Sequence, residues 1–138
     1  VVGSHDGGDS WFVVNPSLTV QSLRGVWRRG EEQAVAVGAQ GTVLRTAATP
    51  DSVAWSLGNA GGLYQSEDVC LLSSGVAYAV GWNGTAGFVL RSDDGGASWD
   101  PQTPASSFPL RGVFFLDARR GWAVGDNGVI RHTASGGE

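Results

Sequence analysis

Two carboxylates stand out by their setting. Asp6 lies in Ser4-His5-Asp6-Gly7-Gly8-Asp9-Ser10-Trp11 and Asp94 in Ser92-Asp93-Asp94-Gly95-Gly96-Ala97-Ser98-Trp99, and both stretches read Ser-x-Asp-Gly-Gly-x-Ser-Trp. An aspartate beside paired glycines could ligate calcium or serve in acid–base chemistry. The same residue types also make a self-contained turn. Its carboxylate accepts hydrogen bonds from backbone N–H groups, its glycines take conformations closed to other residues, and its tryptophan packs between sheets. Repetition favours the turn, because a catalytic site is seldom copied once per structural unit. Ser4, Asp6, Gly8, Trp11, Ser92, Asp94, Gly96 and Trp99 are therefore read as structural. Trp55 joins them, because its turn, Thr46-Ala47-Ala48-Thr49-Pro50-Asp51, has lost the pattern but kept the tryptophan. At ~150–250 Å² per aromatic and ~25 cal/mol/Å², each buried tryptophan supplies roughly 4–6 kcal/mol of gross burial.

The other chemistry-bearing residues fall into sets. Arg24 and Arg111 occupy equivalent places in two matching apolar runs, and Glu67 holds that place in a third. Trp82, flanked by glycine, has the character of an interface anchor. These four are the candidate partner-binding residues; the alternative is that the arginines are solvated blade-edge residues paired with neighbouring acids and that Trp82 packs between blades. Arg45, Arg91 and Arg131 precede the turns at regular positions and are expected to bond to the turn carboxylates. The acidic pairs Glu31-Glu32, Glu67-Asp68 and Asp93-Asp94 have adjacent members, which on a strand point to opposite faces and do not make a glycosidase pair. His5 and His132 are isolated, and Cys70 is the only cysteine, so neither metal-ligand spacing nor an internal disulfide is present. No catalytic residue, metal or cofactor is expected. Asn83-Gly84-Thr85 fits an N-glycosylation acceptor, which matters only in a eukaryotic secretory route.

The elements that must position these residues recur with a period. Trp55 lies 44 residues from both Trp11 and Trp99. Three further landmarks return in the same order: Leu23-Arg24-Gly25-Val26-Trp27, Glu67-Asp68-Val69-Cys70-Leu71 and Leu110-Arg111-Gly112-Val113-Phe114; then Ala34-Val35-Ala36-Val37-Gly38, Ala77-Tyr78-Ala79-Val80-Gly81 and Gly121-Trp122-Ala123-Val124-Gly125; then the runs opening at Gly41, Gly87 and Gly128. The pattern predicts strands at 11–14, at 23–27, 33–38, 42–46 and 53–57, at 67–72, 76–81, 87–92 and 98–100, and at 110–116, 121–125 and 128–133. Four strands repeating at about 40–45 residues are the signature of an all-β, four-stranded antiparallel β-propeller blade. The chain is then one propeller segment, 1–138. Residues 1–22 end one blade and link to the next, 23–58 and 66–100 form two blades, and 110–138 form a blade lacking its outer strand. Consecutive apolar positions in the second strands fit a sheet covered on both faces. The glycines ending these strands (Gly38, Gly81, Gly125) and opening the third (Gly41, Gly87, Gly128) are expected in tight turns with positive φ, with a longer middle turn at 82–86.

Composition sets the outer limits. The 138 residues include 22 glycines and five prolines, as in a turn-rich β chain rather than a linker. A net charge of −4 argues against non-specific nucleic-acid binding. All nine cations are arginine and no methionine occurs, so a processed or excised chain is expected. The longest mainly apolar region, 69–82, is too short for a spanning helix, so direct membrane insertion is not expected. A cleaved leader is compatible with this, and export to a periplasmic, lumenal or extracellular space is expected.

The Ser-x-Asp-x-Gly-x-x-Trp turn resembles the Asp-box of bacterial-neuraminidase-type (BNR) repeats. Leu110-Arg111-Gly112-Val113-Phe114-Phe115, Gly121-Trp122-Ala123-Val124-Gly125-Asp126-Asn127-Gly128-Val129-Ile130 and Gly136-Gly137-Glu138 resemble the photosynthesis-system-II assembly and stability factor family of propellers. The resemblance covers essentially the whole chain as three repeats. It implies a non-enzymatic scaffold binding a protein partner, in this family a membrane complex or its assembly intermediate. It places the box turns opposite the binding face, leaving binding to the inter-blade loops 15–22, 59–65 and 101–109, to the turns after the second strands and to the starts of the innermost strands. The family's arginine-bearing surface is matched here to Arg24 and Arg111, with Glu67 interrupting it. The alternative from another class is a carbohydrate-active propeller, sialidase-like or glycan-binding. A sialidase needs an arginine cluster, a tyrosine nucleophile with an acidic partner, and an acid/base aspartate; the only tyrosines are Tyr64 and Tyr78. Propellers close with ~4–8 blades. Three repeats therefore imply either a homodimer, in which strand 11–14 completes the neighbour's last blade, or part of a longer propeller.

Overall fold

The structure, a computed structural model, describes residues 2–13, 18–30, 32–48, 53–62 and 64–137. Val1, Val14, the break Asn15-Pro16-Ser17, Glu31, the end of the degraded turn at 49–52 and Glu138 lie outside the described residues. Short β-branched and aromatic runs punctuated by glycine fold into an antiparallel meander. A hairpin, β1 (Val2–Gly3) with β2 (Phe12–Val13), comes first. Blade 1 is β3 (Leu23–Arg29), β4 (Gln33–Gly38), β5 (Thr42–Ala48) and β6 (Val53–Asn59), hydrogen-bonded in that order. Blade 2 is β7 (Gln65–Leu71), β8 (Ala77–Asn83), β9 (Ala86–Ser92) and β10 (Asp100–Ser106). A third sheet of three strands holds β11 (Leu110–Phe115), β12 (Gly121–Gly125) and β13 (Ile130–Thr133). The all-β propeller architecture expected from the repeats is present.

Period-two alternation builds two cores. Val69 and Leu71 of β7 and Ala77 and Ala79 of β8 face blade 1, where they pack with Val35, Val37 and Val43. Cys70, Tyr78 and Val80, the residues between, face the third sheet and pack with Leu110, Val113, Phe115 and Ala123. Blade 2 is therefore covered on both faces, which is why β8 is buried from Ala77 to Gly81. In β12, which reads similarly, Gly121 and Ala123 are buried but Trp122 and Val124 are exposed.

Three expectations are corrected. The outer strand of blade 2 is Asp100–Ser106 rather than 98–100, so most of the proposed binding loop 101–109 is strand. Pro101 is tolerated because β10 bonds only to β9 and lies at the sheet edge. Trp82 belongs to β8 and not to a long turn: Asn83 pairs with Ala86 and only Gly84 and Thr85 lie between them. Gly41 and Gly128 have φ of 70° and 72°, but Gly38, Gly81, Gly87 and Gly125 do not have positive φ. A Cβ at Gly38, Gly81 or Gly125 would collide with the carbonyl oxygen of Ser22, Gln65 or Pro109 respectively. Glycine at the end of each second strand thus serves the close approach of the chain entering the innermost strand.

Candidate partner-binding surface

Each innermost strand carries the same irregularity. Leu23 pairs with Gly38 and Gly25 with the adjacent Val37, so Arg24 is an extra residue in the ladder. Ser66 and Asp68 pair with Gly81 and Val80, leaving Glu67 extra, and Leu110 and Gly112 pair with Gly125 and Val124, leaving Arg111 extra. A bulge re-aims its side chain away from the strict alternation of the strand. Three bulges in register bring residues 43 and 44 positions apart to one place.

Glu67 is the centre of that place. Its Oε1 accepts from Arg24 Nη1 at 3.1 Å and from Trp82 Nε1 at 3.0 Å, and lies 3.3 Å from Arg111 Nη1. Arg24 Nη1 also donates to Gln65 Oε1 at 3.3 Å. Arg111 forms a two-pronged pair with Asp126, Nε to Oδ1 at 2.9 Å and Nη2 to Oδ2 at 2.8 Å. This pair raises the Arg111 pKa and holds the Asp126 carboxyl below the usual carboxylate range. All four residues singled out from the sequence, Arg24, Glu67, Trp82 and Arg111, therefore meet. Glu67 does not interrupt the arginine pattern; it bridges its two members.

The Glu67 side chain is 18% exposed, against 33% for Arg24 and 46% for Arg111. Exposed ion pairs contribute only about 0–1 kcal/mol each, so the main consequence is orientation: two guanidinium groups are held around a largely covered carboxylate. The formal charges of the two arginines are matched by Glu67 and Asp126. A planar guanidinium has five N–H donors, more than one carboxylate uses, and suits bidentate recognition of a second carboxylate. The second carboxyl here, Asp126, is held by Arg111 in a two-pronged pair rather than poised for acid–base chemistry. The neighbouring Asp68 accepts from the backbone N–H groups of Val69 and Val113, both at 2.9 Å, and so ties blade 2 to the third sheet.

The box turns are closed on themselves. Asp94 accepts from Ser92 Oγ at 2.8 Å, Ser98 Oγ at 2.6 Å, and the N–H groups of Ala97 and Ser98. Asp6 is held similarly by Ser4 and by both the hydroxyl and N–H of Ser10. Bonds from Ser98 and Ser10, the largest cause in each case, hold both carboxyls well below the usual range. The expected arginine partners are corrected: Arg91 pairs with Asp93 at 3.0 Å, while the box aspartates are served by serine and backbone. Trp99 Nε1 and Trp11 Nε1 donate to the carbonyls of Gly96 and Gly8, both at 3.1 Å. Trp55 is half-buried in β6 and pairs with Thr46. Tyr78 is buried and stacked on Phe115, and Tyr64 packs against Phe88, so neither joins the arginine cluster. Among the described residues, no group of three or more His, Cys, Asp or Glu could hold a metal ion.

The sequence reading missed the bulges; Asp126 and Gln65 fall in the turn after a second strand and in loop 59–65, both assigned to binding, but neither residue was singled out. The Leu-Arg-Gly repeat was the one available trace of the bulges.

No protein-family model matches the chain, and no curated protein does. Solved structures do match. A structure of YCF48 bound to D1 peptide has a TM-score of 0.68 over 87% of this chain at 19% identity. YCF48 from Cyanidioschyzon merolae has a TM-score of 0.63 over 85% at 22% identity. The chain spans 39% and 38% of the length of those two structures. It is thus an array of β-propeller blades that resembles YCF48 in fold.

Proposed function

We propose that this propeller is a non-enzymatic scaffold that captures a protein partner on the surface formed by Arg24, Glu67, Trp82 and Arg111, and that the partner belongs to a membrane complex of photosystem type or to its assembly intermediate. The observation that carries the reading is the shared Glu67 oxygen, which orients two guanidinium groups side by side where a peptide carboxylate can engage them. A YCF48 structure with bound D1 peptide supports a peptide as the ligand class. The placement of both tyrosines outside the cluster supports a scaffold over the carbohydrate-active alternative. The same reading puts the protein in an exported compartment. No helix among the described residues is long and apolar enough to cross a membrane.

Fluorescence anisotropy with labelled D1 peptide tests this. Arg24→Ala with Arg111→Ala is expected to weaken binding at least about tenfold, as for charge-assisted pairs at an interface, and to flatten its salt dependence. Unchanged affinity in the double variant would remove the arginine site.

A further inference from the structure

Asn83-Gly84-Thr85 forms the tip of the β8–β9 hairpin: Asn83 ends β8 and pairs with Ala86, and all three residues are exposed. An asparagine followed by glycine carries a reaction of its own. The main-chain nitrogen of the glycine can attack the carboxamide carbon of the asparagine, because no side chain on the glycine crowds the approach. The chain has a second such pair, Asn127-Gly128, at the equivalent turn of the third sheet.

Geometry separates the two pairs. Asn127 has φ of 55° and ψ of 29° inside the 3-10 turn Asp126–Gly128. At that ψ, for an L residue, the Gly128 nitrogen lies across the Cα–C bond from the Asn127 side chain, almost as far from its carboxamide as rotation about that bond allows. Bonds from Gly125 N to the Val129 carbonyl at 2.9 Å and from Val129 N to that of Asp126 at 3.2 Å hold the turn. Blade 1 has the same left-handed residue, Gln40 with φ of 54° and ψ of 39°, whose side chain is a methylene longer. The middle blade departs from both. Asn83 is an extended strand residue, and Gly84, with φ of 85°, has nothing within 4 Å of the place where a Cβ would stand. Rotation there disturbs only the end of a hairpin.

We propose that Asn83 is a site of spontaneous deamidation, and that its conversion puts a negative charge at the edge of the arginine surface and weakens capture of an acidic peptide there. The Gly84 nitrogen forms a bond to Asn83 Cγ, the Cγ–Nδ2 bond breaks, and ammonia leaves with the Gly84 proton. Water then opens the five-membered imide at either carbonyl, leaving aspartate or its main-chain-extended isomer. Trp82, one residue away, donates to the Glu67 oxygen that Arg24 and Arg111 share, so the new carboxylate arises next to the residue that helps space the guanidinium groups. The isomer also lengthens the main chain where Asn83 pairs with Ala86. The effect on capture rests on the function proposed above; the reaction does not.

Peptide mapping by mass spectrometry tests the site on the 138-residue chain held warm at mildly alkaline pH, folded and in urea. In urea Asn83 and Asn127 are expected to deamidate at similar rates. In the folded chain Asn83 is expected to react at least about tenfold faster than Asn127, the factor produced by a modest added barrier to rotating the held turn. Folded-state rates that are equal, or slower at Asn83, overturn the site. Anisotropy with labelled D1 peptide then reads the charge: Asn83→Asp, with Asn83→Gln as the neutral control, is expected to weaken binding about two- to fivefold, as for one exposed charge. Unchanged affinity for Asn83→Asp, alongside a loss in the Arg24→Ala with Arg111→Ala variant, overturns the effect on capture. Unchanged affinity in both variants removes the arginine surface and the effect with it, and the site then stands on its rates alone.

Discussion

At 92–99 the box turn lies against blade 1: Gly96 sits beside Val35, and Trp99 is packed on the core shared by the first two blades. At 4–11 the same turn stands on the β1–β2 hairpin with its tryptophan two-thirds exposed. The hydrogen bonds from Ser to Asp, from the second glycine to Ser, and from the indole to the glycine carbonyl are nonetheless the same in both. The turn is thus specified by its own eight residues, and docking adds packing to a shape already made. In physical terms, the carboxylate and glycines act locally, while the tryptophan acts between sheets.

The largest effect that can sharpen this contrast is at the tryptophans. In urea unfolding of the chain at dilutions where it is monomeric, Trp99→Ala is expected to cost about 2–4 kcal/mol, toward the low end for a partly buried aromatic, and Trp11→Ala within about 0.5 kcal/mol of zero. Equal losses would break the comparison. Next come the glycines. Gly96 has φ of 90°, and an added Cβ would lie 3.3 Å from Val35 Cγ2, so Gly96→Ala is expected to cost about 1–3 kcal/mol. Gly8→Ala meets similar backbone strain at φ of 104° but touches only Trp11, and should leave the global thermal midpoint unchanged.

The smallest effect is in pH. The folded Asp94 carboxyl titrates below its ordinary value of 3.8 because Ser98 and Ser92 donate to it. Its contribution is therefore fully present above about pH 4–5 and is lost as pH falls through the folded pKa. Asp94→Asn should remove part of the drop in midpoint below pH 4. Asp6→Asn, in the undocked copy, should not alter the acid limb, because unfolding of the blades does not report the hairpin.

Much of this was legible in the residues. The repeated Ser-x-Asp-Gly-Gly-x-Ser-Trp and its spacing announced the blades, and the equivalence of Arg24, Glu67 and Arg111 was visible as position. Their convergence was not, because strict alternation gives no hint of an extra residue; only the ladder shows that each is a bulge. Pro101 concealed β10, since a proline argues against a strand until the strand is known to lie at an edge. Gly38, Gly81 and Gly125 were recognised as obligatory for the wrong reason: the constraint comes from a carbonyl oxygen of another segment, which no local pattern records. Trp82 looked like turn because Gly81 and Gly84 surround it, yet Gly81 continues the strand.

The Tyr78 hydroxyl lies 3.0 Å from the carbonyl of Ala118, between β11 and β12, and 3.2 Å from that of Gly136, just after β13. Stacked repeats behave as a chain of neighbouring units whose cooperativity is set by what crosses each boundary. A side chain from one unit that satisfies the backbone of the next couples their melting, so β8 and the segments around Ala118 and Gly136 should exchange amide hydrogens as a single foldon. The middle blade thereby sets the opening free energy of its neighbour, although the turn at Gly136 is far along the chain from Tyr78.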